Sequence, residues 1–140
     1  MDALAVYAPV EKHLVRWLPS VLPGVRAGTG VPASITGRFV QPRRVGGGSY
    51  LGVDYPQVQV HGFALTESDA LDLGSEVQGV FEGLLRGVTV RVPTKAGPVD
   101  TSVSWRKTVG ASRWVEYDNP GVFRSLTVFD LVAHHFPASP

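Results

Sequence analysis

The chain has 140 residues, with thirteen Lys and Arg against twelve Asp and Glu, and no Cys. That length suits one domain built round one core. A net charge of +1 is too small for purely electrostatic binding to nucleic acid or an anionic membrane, and the lack of Cys excludes disulfide scaffolds, thiolate metal sites, Fe–S clusters and a cysteine nucleophile.

A 44% hydrophobic share with 18% charged residues argues for a folded chain, and sixteen glycines and eleven prolines argue for many turns. Asp2 stands where a signal peptide wants positive charge, and the apolar run of the N-terminus stops at Pro9. No export segment is therefore expected. The longest uncharged stretch, 27–37, is full of Gly, Thr and Ser and cannot span a bilayer.

In chain order, residues 9–18 read as a short helix with Val10, Leu14, Trp17 and Leu18 at helical spacing, started at Pro9 and ended by Pro19. Residues 25–27 suit a short strand. Residues 35–45 are mostly extended, with Pro42 marking an edge or bulge. Gly46, Gly47, Gly48 and Ser49 follow, and 46–56 reads as a mobile loop. Residues 57–65 are the clearest strand, alternating Val58, Val60, Gly62 and Ala64 with Gln57, Gln59, His61, Phe63 and Leu65.

Thr66 caps a second helix, with Glu67 and Asp69 at its positive end. Its apolar stripe runs through Ala70, Leu73, Val77, Val80, Phe81, Leu84 and Leu85, and Gly87 ends it. Gly74, Gly79 and Gly83 within it predict close approach to another backbone. The rest is β-rich: 88–92, then 99–106, then 114–117 after a turn around Gly110, then 122–136. The last run breaks simple alternation, so either a bulge shifts its faces or both faces are covered. The fold class is α+β: a mixed, mostly antiparallel sheet with one long helix packed on a face and a short N-terminal helix.

Chemistry is hard to find. His13, His61, His134 and His135 make no metal-ligand spacing, and adjacent His134 and His135 point to opposite faces of a strand. They read as surface or half-buried residues, with His61 a cross-strand partner. The glycine run is followed by extended sequence rather than a helix, and no Gly-Lys-Ser/Thr triplet exists, so it is not a phosphate loop. No Gly-x-Ser-x-Gly elbow occurs, and Ser49 has no assignable base. Catalysis, cofactor and metal are therefore not expected. Arg38, Arg43 and Arg44 precede the glycines, and Arg106, Lys107 and Arg113 flank the later turn, with Tyr50, Trp105 and Trp114 nearby. That mixture suits a protein interface, or, less well, single-stranded nucleic acid; otherwise the tryptophans are core and the arginines solvated.

The whole chain resembles the tail terminator (tail completion) proteins of long-tailed, siphovirus-type bacteriophages of actinobacteria. The matching features run in order: a short helix ending in Trp17-Leu18, then Leu22-Pro23-Gly24-Val25-Arg26, Pro42-Arg43-Arg44-Val45-Gly46-Gly47-Gly48-Ser49, Asp54-Tyr55-Pro56-Gln57-Val58-Gln59-Val60, a helix, and Pro120-Gly121-Val122-Phe123-Arg124 before a terminal strand. The Arg-Val-Gly-Gly loop followed by Asp-x-Pro-x-Val is the most diagnostic part. Helix glycines and the His134-His135-Phe136 tail depart from the pattern.

The resemblance implies a structural virion protein at the tail–neck junction, made in the host cytoplasm. It would form a homohexameric ring that caps the tail tube and meets a head-completion or connector protein. Genome DNA would pass through its lumen without sequence-specific binding. No enzyme activity, cofactor or membrane is implied. The expected subunit or tube contacts are Arg43, Arg44, Gly46, Gly47, Gly48, Tyr50, Asp54, Arg106 and Trp114, with 43–54 ordering on assembly. Deleting 46–49 should spare the fold and impair capping. The alternatives are another neck component, such as a head-completion or connector protein, or a small monomeric ligand-binding α+β domain with a polar pocket.

Overall fold

The computed structural model describes residues 5–138; Asp2, read above against a signal peptide, lies outside them. The elements are α1 (Val10–Val21), β1 (Arg26–Ala27), β2 (Phe39–Gly46), β3 (Ser49–Tyr50), β4 (Val53–Asp54), β5 (Gln57–Ala64), α2 (Glu67–Leu84), β6 (Thr89–Val92), β7 (Val99–Val115) and β8 (Phe123–Pro137). The fold is α+β. All eight strands join one mixed sheet, in which only the β1–β2 ladder is parallel.

β8 is the spine of the sheet. Along one side it pairs first with β5 and then with β4, and along the other it pairs with β7 over most of its length. Its residues Phe129, Leu131 and Ala133 are buried, alternating with half-buried Val128, Asp130, Val132 and His134. The irregularity expected in this strand lies opposite it. β7 shifts register against β8 between Val103 and Trp105, Thr108 and Gly110, and Gly110 and Arg113. Each shift puts an extra residue into β7, which is a bulge. Residues 99–115 are therefore one strand of 17 residues, not two strands about a turn at Gly110. The bulges absorb the sequence irregularity that reads locally as a turn.

Both helices pack on the same face. Val10, Leu14, Trp17 and Leu18 of α1 and Leu73, Val77 and Phe81 of α2 share one core with Val40, Val58, Val60, Phe129, Leu131 and Ala133 of the sheet. Phe81 stacks on Phe129 with ring centroids 4.1 Å apart. A smaller cluster of Ile35, Phe39, Phe63 and Val122 covers one end of the opposite face.

Pro19 does not end α1; the helix runs on to Val21. Only the Val15 carbonyl loses its donor to the proline ring. Ser20 Oγ donates to the Trp17 carbonyl, and Leu22 N donates to Leu18 at 3.0 Å, so the last turn still closes. α2 begins as the sequence predicts, with Thr66 Oγ1 accepting from Asp69 N at 3.1 Å. Its stripe is narrower than expected, since Leu84 is 53% exposed.

Of its three glycines only Gly74 is pressed against the sheet. A Cβ there would meet Ser112 Oγ and would lie 2.9 Å from Ser125 Cβ. Gly79 and Gly83 face open space, with nothing inside the subunit within 4 Å of a Cβ. Each lowers helix stability by about 1 kcal/mol relative to Ala, with no packing in its own subunit to require it.

Candidate interaction surfaces

Residues 46–56, expected as a mobile loop, form a hydrogen-bonded hairpin in the structure. β3 and β4 pair Ser49 with Asp54 and Tyr50 with Val53. The turn between them places Leu51 at φ 48° and Gly52 at φ 82°, the left-handed pair of a type I′ turn. Gly52 N donates to the Tyr7 hydroxyl at 2.9 Å, and the Gly52 carbonyl accepts from His135 N at 2.9 Å. Tyr55 N donates to Gly48 O at 2.9 Å. The segment is secured by partners distant in sequence, which is why composition alone reads it as loose. Its tip carries Tyr50 and Leu51, each 72% exposed.

Arg44 is the organiser of this segment. Its guanidinium donates to the carbonyls of Gly46 at 3.1 Å and Gly47 at 3.2 Å, and pairs with Asp54 at 2.8 Å. Its backbone N–H donates to Glu11 of α1. Asp54, expected at a contact with another chain, is instead enclosed by its own subunit at 2% exposure. The same Asp54 oxygen accepts from His135 Nε2 at 3.3 Å. His135 Nδ1 then faces Thr101 Oγ1 at 2.9 Å and Ala8 N at 3.4 Å. With the proton on Nε2, toward the carboxylate, Nδ1 accepts from both donors.

That order of hydroxyl, imidazole and carboxylate matches a nucleophilic triad. However, Thr101 is fully buried and His135 nearly so, which leaves no access for a substrate to the hydroxyl. The array joins the N-terminal segment, β2, β4, β7 and β8. Sequence reasoning missed it because no spacing links Asp54, Thr101 and His135, and it treated His135 as a surface or half-buried residue.

His13 is also buried, with Nε2 3.1 Å from the Val88 carbonyl. Burial lowers the pKa of His13 and of His135; in the second the Asp54 hydrogen bond opposes the shift without reversing it. His61 is pushed down to about 4, first by burial and then by the charges of Arg124 and Arg43. All three bind a proton less readily in the fold than an unfolded histidine, whose ordinary pKa is near 6.5. The unfolded state therefore binds more protons as pH falls below that value, and stability present above it is lost on acidification. The urea midpoint is expected to fall steadily from pH 7 to pH 5, and an unchanged midpoint would contradict the burial described.

The remaining site residues do not converge. Arg43 is exposed on β2, whereas the Arg106 guanidinium bonds the Glu82 carbonyl near the end of α2. Trp114, 48% exposed, lies at the far end of β7 beside residues 116–123. Trp105 is 46% exposed, so of the three tryptophans only Trp17 is core.

Paired residues of neighbouring strands share a face. The rows Arg113–Leu126–His61–Gln41, Gly110–Val128–Gln59–Arg43, Lys107–Asp130–Gln57 and Trp105–Val132 thus line the face that carries no helix. Arg124 extends it, its guanidinium 5.3 Å from the Tyr117 ring. Asp130 accepts from Gln57 Nε2 at 3.1 Å. A shallow cleft of about 340 Å³ opens here between Tyr55, Gln57, Trp105, Asp130 and Val132.

Among the described residues no three His, Cys, Asp or Glu gather as round a metal ion, and no helix is long and apolar enough to cross a membrane. Compared with known proteins, the chain matches no family model and no curated protein.

Proposed function

We propose that the chain is a structural virion protein that forms a ring on the end of a phage tail tube, stopping tube growth and joining the tail to the neck. The reading begins from the ordered motifs of the sequence, above all the Arg-Val-Gly-Gly run leading into Asp54-Tyr55-Pro56-Gln57-Val58. The observation that carries it is the amount of shaped surface left without a partner. One side of the sheet has no helix on it, and the β3–β4 hairpin presents Tyr50 and Leu51 to solvent beside half-exposed Tyr55. A subunit that must meet two neighbours, a tube and a neck protein needs several such surfaces. The tail tube protein and a head-completion or connector protein are the expected partners, and DNA would pass the ring without being held. Loss of the gene is expected to yield overlong, headless tail tubes by electron microscopy. Tails of normal length beside unattached heads would instead assign it to head completion.

A further inference from the structure

We propose that the outer face of α2 on one subunit docks on the helix-free sheet face of a second copy of the chain, head to tail. The inference rests on the ring reading above and specifies which two surfaces meet.

Charge is the first reason. α2 carries Glu67, Asp69, Asp72, Glu76 and Glu82 and no Lys or Arg. Arg38, just before β2, pairs with both Asp69 and Glu76, so one cation serves two carboxylates. Among the described residues Glu67 and Asp72 make no ion pair. The opposite side of the subunit has the reverse character. Arg43, Lys107, Arg113 and Arg124 stand on the helix-free sheet face, where Asp130 is the acid in the same rows. One acidic and one basic surface on opposite sides of a subunit cannot satisfy each other within it. They can do so between copies, and such a contact is heterologous, as ring closure requires.

Shape is the second reason. Ser68, Asp72, Ser75, Gly79 and Gly83 recur at helical spacing and are all exposed. Gly79 and Gly83 have no neighbour in their own subunit that a side chain would strike. A flat helix face allows close approach by another backbone, and the sheet supplies a broad surface for it. Leu71 at 38% and Leu84 at 53% exposure flank this stripe, and Trp105 and the half-buried Val128 and Val132 offer apolar contact across it.

The lack of native Cys makes the test clean. The double variant Ser75→Cys, Gln59→Cys carries one thiol on each surface. Mild oxidation of this full-length chain at high concentration is expected to give a ladder of disulfide-linked oligomers. Either single variant should give little, and the control pair Ser34→Cys, Gln59→Cys should give at least tenfold less. Lys107→Glu with Arg113→Glu should abolish the ladder, and adding Glu67→Lys with Asp72→Lys should restore it. In the same background Gly79→Ala with Gly83→Ala should raise Tm by a few degrees yet reduce the ladder. Misfolding cannot produce that pair of results.

No ladder above the control overturns the inference, as does a ladder indifferent to the charge reversals. Strong cross-linking of Ser75→Cys alone would also overturn it, since that is a symmetric helix-to-helix contact. Binding of a fluorescent oligonucleotide that Lys107→Glu and Arg113→Glu remove, with no ladder, would assign the basic face to nucleic acid instead. A ladder that continues without a terminal size would support the pairing while overturning the closed ring.

Discussion

Asp54→Ala is expected to destabilise the fold by about 3 kcal/mol or more, the cost of removing one partner from a buried charge pair. The carboxylate is 2% exposed and serves both Arg44 at 2.8 Å and His135 at 3.3 Å. Without it His135 Nε2–H is left buried with no acceptor, and Arg44 loses the anion that holds it over the glycine carbonyls. Arg44 is 29% exposed and can turn partly to water, which keeps the loss toward the lower end of the range for buried pairs. Asp54→Asn keeps one acceptor and should cost less. Urea unfolding of wild type, Asp54→Ala, Arg44→Ala and the double variant measures the coupling directly. Singles that sum to the double would mean the pair contributes nothing. The expected result is a double variant little worse than the worse single, because each single removes the same interaction.

Gly47→Ala is expected to cost about 3 kcal/mol, and Gly48→Ala almost nothing. The two sit side by side in a run of three glycines that the sequence alone cannot rank. Gly47 holds φ at 95°, and a Cβ there would overlap the Tyr55 carbonyl oxygen. That obstacle is backbone, so it cannot rotate away, and the hairpin must shift. Gly46 and Gly48 have open space around the same position. The run therefore contains one glycine fixed by close approach and two that are not. Thermal unfolding of the three single Ala variants separates them, and equal midpoints would contradict the geometry of the hairpin. Deleting 46–49, expected from sequence to spare the fold, is now expected to damage it. The deletion takes out three carbonyl partners of Arg44 and the Gly48 acceptor of Tyr55 N.

Local sequence signals suffice where structure is locally determined. The alternation of β5 and the Thr66 cap of α2 depend on neighbours within a few residues, and both stand as expected. Pro42 also lies where an edge is, beyond the two residues of β2 that β1 pairs. The errors come from interactions between distant residues. β7 looks broken at Gly110 because its faces shift there, yet β8 keeps it in one ladder through three bulges. The glycine hairpin looks loose because its anchors are Tyr7 and His135, remote in the chain. His13 reads as a surface or half-buried residue, but the turn into β6 brings the Val88 carbonyl to it and closes over it.

The candidate contact residues divide for the same reason. Arg43 and Tyr50 are exposed, as an interface residue must be. Arg44 and Asp54, in the same segment, are spent on holding it in shape. Arg106 is bound to the Glu82 carbonyl of α2. Two surfaces without a motif, the outer stripe of α2 and the helix-free sheet face, emerge only when register and burial are known.

The most direct test of the central claim is the length distribution of tail tubes in a lysate of the phage lacking this gene, scored by electron microscopy. A tube-capping ring predicts tubes without heads whose lengths spread well beyond the wild-type value, restored to one narrow length when the chain is supplied in trans. Tubes of a single normal length, or intact virions, would contradict it.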